Sequence, residues 1–279
     1  MKAVVNKIIT FSTVDGPGNR TVIFLQGCNL DCKYCHNPET IGICVHCGNC
    51  VLKCPNGALS KKNNKVNYDI NKCLQCDACI QVCPHGSSPK TRMMSSQEVF
   101  DQIRKQIPFI RGITVSGGEC TLYPDFLKEL FTLCKMLGLT TLIDSNGTYD
   151  FSKNEELLNV TDGIMLDVKA FDSKQHEKIT GSNNNIILEN VAFLAKRGKL
   201  YEVRTVIVTE LFDTVETVRQ IAKMLKPYLT KQDIRYKIIA FRPKGVREQY
   251  SHYEIPEKEY LERLAVIMRE ELFENIIIL

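Results

Sequence analysis

Short apolar runs rich in β-branched residues recur along the chain, separated by stretches whose apolar residues return every three to four positions. The first kind predicts strands at 21–26 (TVIFLQ), 112–117 (GITVSG), 140–144 (TTLID), 163–169 (GIMLDVK), 201–208 (YEVRTVIV) and 235–241 (RYKIIAF). The second predicts helices over 95–107, 124–137, 152–159, 187–197, 214–226 and 256–272. The 95–107 helix opens on serines followed by Glu98, a capping signal. Phe126, Leu127, Leu130, Phe131, Cys134 and Leu137 share one apolar face of the next. Six strands alternating with helices predict an α/β layer or barrel, with ligand sites at the carboxyl ends of the strands. Between 44 and 84 the rhythm breaks. That stretch is Cys-rich and poor in apolar runs, so it cannot bury a core of its own and depends on bound metal for stability.

The chain has 279 residues, 44% of them apolar, enough for one large core and a small satellite. No apolar run resembles a signal peptide core or a membrane span, so a soluble cytoplasmic protein is expected. The net charge of +4 is mild and argues for neither a nucleic-acid groove nor a membrane surface. Thirteen cysteines in a reducing compartment point to metal ligation or redox chemistry rather than disulfides.

Eleven of the thirteen fall into three groups. Cys28, Cys32 and Cys35 form C-x3-C-x2-C. Cys44, Cys47, Cys50 and Cys54, before Pro55, and Cys73, Cys76, Cys79 and Cys83, before Pro84, each form C-x2-C-x2-C-x3-C-P. That is the bacterial ferredoxin run, in which three cysteines bind one 4Fe-4S cluster and the fourth reaches the other. Cys44, Cys47, Cys50 and Cys83 are thus expected to hold one cluster, and Cys73, Cys76, Cys79 and Cys54 the second. Zinc knuckles need two cysteine pairs per tetrahedron and have no use for the third cysteine and proline. Of the remaining two, Cys134 is expected in the core and Cys120 as a small packing residue.

Three cysteines leave one iron of a 4Fe-4S cube without a protein ligand, and an open metal position marks a reactive centre. Here the sequence resembles the radical S-adenosylmethionine (SAM) superfamily, including the aromatic Tyr34 just before Cys35. The resemblance implies a partial (β/α)6 TIM-like barrel with an open cluster on Cys28, Cys32 and Cys35 chelated by SAM. It divides the chain into 1–43 with 85–279 as the barrel, and 44–84 as a ferredoxin-like insert carrying two 4Fe-4S clusters. SGGE after the second strand (Gly117, Gly118, Glu119) resembles that superfamily's motif for the SAM amino group, although a lone G-G-E is more often a turn. DSNG (Asp144, Ser145, Asn146, Gly147) and MLDVK (with Asp167 and Lys169) end the third and fourth strands. Such charges are costly to bury unpaired, so they face a polar ligand or one another.

TVDGPGNRTVIFLQGC and CHNPET narrow the resemblance to the activating enzymes of glycyl radical enzymes, and FRPKGVREQY with the insert is most similar to the YjjW branch. The resemblance implies that Asp144, Ser145, Asn146, Asp167, Lys169 and Arg204 surround SAM and an associated monovalent cation. It also places Thr13, Asp15, Gly16, Pro17 and Gly18 near the partner's glycine loop. Relatives lacking the insert carry a histidine near the position of Arg242; this chain does not, which leaves the roles of Arg242 and Arg247 open. His36 is expected to pack or hydrogen-bond locally.

The implied reaction is that of an activase resembling formate-C-acetyltransferase-activating enzyme. One electron cleaves SAM to methionine and a 5′-deoxyadenosyl radical, which takes a hydrogen atom from a glycine Cα of a glycyl radical enzyme. With three clusters, a low-potential donor such as flavodoxin or ferredoxin is implied as the second partner. Two alternatives stand beside it: a radical SAM enzyme modifying another peptide or small molecule, and a non-catalytic electron carrier.

Overall fold

The computed structural model describes residues 1–279 and divides into two compact units, Met1–Asn29 with Asn37–Leu139, and Leu30–His36 with Thr140–Leu279. The first contains strands β1 (Lys2–Ser12), β2 (Arg20–Leu25), β3 (Leu59–Lys62), β4 (Lys65–Tyr68), β5 (Arg92–Ser95) and β6 (Gly112–Gly117), with helices α1 (Ala78–Gln81), α2 (Ser96–Arg104) and α3 (Pro124–Lys135). Its sheet runs β5-β1-β2-β6; β2 and β6 are parallel, and β1 is antiparallel to both β2 and β5. Ser95 and Glu98 form a complete capping box at the start of α2, which buries Val99, Phe100 and Ile103. α3 buries Phe126, Leu127, Leu130, Phe131 and Cys134, at about 1.5–3 kcal/mol for each large side chain.

The second unit contains β7 (Thr140–Ser145), α4 (Glu155–Asn159), β8 (Gly163–Asp167), α5 (Ser173–Thr180), α6 (Asn185–Lys196), β9 (Leu200–Ile207), α7 (Thr214–Leu225), β10 (Arg235–Ala240), α8 (Lys258–Glu270) and β11 (Ile276–Ile278). Its sheet, β7-β8-β9-β10-β11, is parallel throughout. Strand, helix and parallel neighbour follow one another here, the arrangement that puts strand ends where ligands bind.

All six expected strands are present, and the α/β architecture with a mostly parallel sheet is as expected. The structure adds β1, β5, β11, the β3–β4 hairpin and α5. α5 is short and polar outside His176, Ile179 and Thr180, so its apolar period is too brief to read; Asp172 caps it at Gln175 N (2.8 Å), and Gly181, at φ +82°, ends it. No helix is long and apolar enough to cross a membrane.

Candidate functional site

Both glycines of SGGE are required by backbone packing within the first unit. Gly118 N donates to Leu25 O (3.0 Å) and Glu119 N to Gly27 O (2.7 Å), while Cys28 N reaches Ile41 O (3.0 Å). A Cβ on Gly118 would lie 2.3 Å from Gly27 O, and one on Gly117, at φ +131°, would lie 2.1 Å from Leu25 O. The glycines therefore bring the end of β6 against the turn that carries Cys28. The buried Glu119 carboxylate accepts from Thr121 N (3.0 Å) and Thr121 Oγ1 (2.6 Å).

In the same unit, Asp15 O accepts from Thr114 Oγ1 (2.6 Å) and Asp15 Oδ2 from Ser12 Oγ (2.5 Å). Gly16 and Gly18 have φ of +124° and +72°. Fully buried Arg20 donates through Nε to Thr114 Oγ1 (2.9 Å) and through Nη1 to Pro17 O (3.3 Å), so it shapes the Thr13–Gly18 loop. Gln26, also fully buried, donates to Glu39 O (2.7 Å) and Gly42 O (2.6 Å), tying the segment that leads into the Cys-rich stretch to β2.

The Cys-rich stretch rings two cavities. One, about 330 Å³, is lined by Cys54, Cys73, Cys76 and Cys79; the other, about 290 Å³, by Cys44, Cys47, Cys50 and Cys83. The grouping matches the crossed pattern of the two ferredoxin runs, and no three of these side chains converge on a point that would hold a single ion. Cys50 and Cys79 pack with Leu59 and Val66 into a core of four buried residues, so half of it is thiol. Burial pushes the Cys50 thiol up to about 11 and raises Cys79 as well; ligation there would displace protons.

In the second unit, Leu30–His36 is fastened at both ends. Asp31 N and Lys33 N donate to Thr180 O and Ile179 O at the end of α5, both at 3.0 Å. Arg247 Nη1 pairs with Asp31 Oδ1 (2.7 Å) and Nη2 donates to Cys32 O (2.9 Å). His36 stacks on Phe241 (6.2 Å between centroids) and its Nε2 meets Arg242 O at 2.8 Å, the local role expected of it. Gly245, at φ +90°, passes so close that a Cβ would lie 2.7 Å from His36 O. The Arg242 side chain is exposed, so Arg247 is the arginine of this loop that holds the cysteine segment.

Tyr34 of that segment is buried with Ala170, Ile179, Val208 and Phe241, and its hydroxyl has no hydrogen-bond partner. Lys169 Nζ lies 6.0 Å from its ring and 2.9 Å from Asp167 Oδ2. Burial alone would lower the Lys169 ammonium; Asp167, Cys32 and Tyr34 together outweigh burial and hold the group well above the ordinary lysine value. Asp144 Oδ1 accepts from Arg204 Nη1 (2.9 Å), and the Arg204 Nε pairs with Glu202, which also meets Lys237 Nζ at 3.0 Å. The sequence marks neither Glu202 nor Lys237: they meet across neighbouring strands, a pairing with no signal along the chain. Ser145 Oγ accepts from Gly147 N (3.0 Å) and Asn146 Oδ1 from Thr148 N (3.0 Å), so both build the turn after β7. Cys120 and Cys134 are fully buried, the first donating to Val115 O (3.4 Å) and the second pushed up to about 12 by burial, as packing residues.

Residues 22–225 match the model of the radical SAM superfamily. A Haemophilus influenzae protein described as a glycyl-radical enzyme activating enzyme is 32% identical over 95% of this chain and 92% of its own length. The pyruvate formate-lyase-activating enzyme of Streptococcus mutans is 31% identical over 87% of this chain and 78% of its own. Among solved structures, SuiB of Streptococcus suis bound to precursor peptide SuiA superposes with a TM-score of 0.60 at 13% identity, covering 92% of this chain and 48% of that one. The mostly parallel α/β frame is therefore that of a radical SAM enzyme. The chain belongs to the radical SAM superfamily and, within it, to the glycyl-radical enzyme activating enzymes.

Proposed function

We propose that this chain activates a glycyl radical enzyme with three 4Fe-4S clusters, one of them open on Cys28, Cys32 and Cys35. The observation that carries the reading is the seating of Cys32, Tyr34 and Cys35 on one segment whose tyrosine has a buried, unpartnered hydroxyl and a ring 6.0 Å from Nζ of Lys169, the partner of Asp167. A buried hydroxyl with no protein partner, next to a lysine that is itself largely buried while its Asp167 partner is half-buried, suits a polar cofactor. When bound, the open cluster and SAM supply one-electron cleavage of the sulfonium and a 5′-deoxyadenosyl radical able to abstract a glycine Cα hydrogen.

The chain's own residues bind and orient. Gly117, Gly118 and Glu119 offer backbone and a carboxylate to the SAM amino group. Asp144, Ser145, Asn146, Asp167 and Arg204 serve the ribose, the methionyl group and a monovalent cation, and Lys169 holds a positive charge there. Arg242 stands where relatives lacking the insert carry a histidine near the cofactor, and its guanidinium is able to donate to a carboxylate or ribose. Thr13, Asp15, Gly16, Pro17 and Gly18 meet the partner's glycine loop.

The two cysteine-lined cavities support residues 44–84 as a ferredoxin-like insert of the kind the YjjW branch carries, one that takes electrons from a flavodoxin or ferredoxin and passes them inward. The test is anaerobic reconstitution followed by incubation with SAM, reductant and candidate partner enzymes. The expected result is about twelve irons per chain, 5′-deoxyadenosine formation, and a glycyl radical signal on the partner whose splitting collapses when its glycine is α-deuterated. About twelve irons with no SAM cleavage under strong reduction would leave only the electron-carrier reading.

A further inference from the structure

A groove of about 1180 Å³ in the first unit joins the Cys-rich stretch to the edge of the sheet, lined among others by Ile43, Cys44, His46, Lys65, Arg92 and Met93. Two of its apolar members are open to solvent, Ile43 at 52% and Met93 at 61%, while Val66 and Pro89 are buried. No acidic side chain lines it. β5, which carries Arg92 and Met93, ends its sheet and pairs only with β1, leaving an apolar strand edge that proteins ordinarily cover or charge.

The charge around this groove is one-sided. Residues 44–84 contain Lys53, Lys61, Lys62, Lys65 and Lys72 against Asp69 and Asp77. Both aspartates are engaged, Asp69 with Asn71 N (3.0 Å) and Asp77 with Lys90 (2.6 Å). Lys62 and Lys65 face each other in the hairpin register, an unfavourable like-charge pair that an acidic surface would relieve.

The groove also touches both cysteine cages. Cys44 and Val66 line it and the 290 Å³ cavity; Tyr68 lines it and the 330 Å³ cavity. We propose that this groove docks an acidic low-potential electron-carrier protein, its apolar redox edge against Ile43 and Met93, and that one electron crosses at Cys44. The carrier is oxidised by one electron and the cluster on Cys44, Cys47, Cys50 and Cys83 is reduced by one; no bond forms and no proton moves. This rests on the two-cluster reading of the insert.

The test uses the full chain, reconstituted anaerobically, with stopped-flow reduction by reduced flavodoxin and, separately, by photoreduced deazaflavin, which is small and uncharged. In the wild type, flavodoxin-driven reduction slows as salt rises. Lys62→Glu, Lys65→Glu and Arg92→Glu together slow it at least about tenfold at low salt, with iron content and deazaflavin-driven reduction unchanged. The glutamine triple variant falls between, and serves alone if the charge-reversed chain does not load iron. Wild-type rates and salt dependence in the loaded variants overturn the proposal, as does a selective loss of glycyl radical enzyme binding. A wild-type chain with about four irons instead of about twelve overturns the two-cluster reading and the docking with it; about twelve irons and unchanged rates overturn the docking alone.

Discussion

Arg247 Nη2 donates to the carbonyl oxygen of Cys32 at 2.9 Å while Nη1 holds Asp31 Oδ1 at 2.7 Å, so one guanidinium clamps the segment carrying two of the three C-x3-C-x2-C thiols. The side chain is 29% exposed, which limits the ionic half; the bond to the backbone carbonyl is the firmer one. Arg247→Ala is expected to loosen Leu30–His36 by about 1–2 kcal/mol. Iron retained after gel filtration should fall from about twelve toward about eight per chain, with the SAM-responsive cluster signal lost first. Arg247→Lys, which cannot fork, is expected to retain an intermediate amount. Unchanged iron in both variants would show that the clamp does not matter to ligation.

Arg20 makes a separate prediction about the partner. It is buried and donates to Thr114 Oγ1 and Pro17 O, which ties the Thr13–Gly18 loop to β6. Arg20→Met leaves those acceptors unsatisfied at about 1–3 kcal/mol each, and the melting temperature is expected to drop roughly 2–4 °C for each kcal/mol lost. With the loop unpinned, KM for the partner enzyme should rise, while SAM cleavage in the partner's absence persists. Equal losses in both assays would make Arg20 a fold residue only.

The α/β frame was legible in the sequence because buried parallel strands read as continuous apolar runs, and TVIFLQ, GITVSG and RYKIIAF fall within a residue of β2, β6 and β10. The cysteines that line the two cavities were legible for a different reason: their intervals repeat, C-x2-C-x2-C-x3-C, in both runs. Glu202, Lys237, Gln26 and Arg247 were not legible. Each acts through a partner far along the chain, Arg247 on Asp31 and Gln26 on Gly42, and pairwise geometry of that kind has no periodic trace. The close approach of the SGGE glycines to the backbones of Leu25 and Gly27 was not legible either, because those partners lie about ninety residues away along the chain.

His176 gives a pH dependence. Its Nδ1 meets Ser182 O at 2.8 Å and its Nε2 is buried without a partner, so burial lowers its pKa below the ordinary 6.5. Because the folded state resists the proton that the unfolded chain takes up, stability is fully present above the unfolded value and declines as pH falls below it. α5 anchors Asp31 and Lys33, so the cysteine segment should loosen in the same window. The expected result is a urea midpoint that falls below pH 6.5 in the wild type and falls less in His176→Asn, which has no proton to take up. Parallel curves for the two chains would assign the decline to other groups.

Lys90 distinguishes the two cages of the insert. Its side chain lines the cavity of Cys54, Cys73, Cys76 and Cys79 and is 13% exposed; its partner Asp77, 2.6 Å away, lines the same cavity but is 58% exposed, where solvent weakens its charge. The other cavity is lined by no lysine or arginine. A cation beside a cluster stabilises its reduced, more negative form, so the Lys90 cage should have the higher potential of the two. At an effective dielectric of about 20 the charge contributes about 1–2 kcal/mol, which for one electron is ~40–90 mV. Lys90→Met is expected to lower one midpoint by that amount in a redox titration followed by electron paramagnetic resonance and to leave the other in place. Lys61→Met, which removes an exposed ammonium bonded to Cys47 O at the other cage, should shift little because solvent already screens it. If both midpoints move together in Lys90→Met, the crossed cysteine pairing does not separate the cages as the cavities indicate; if neither moves, Asp77 already cancels the charge.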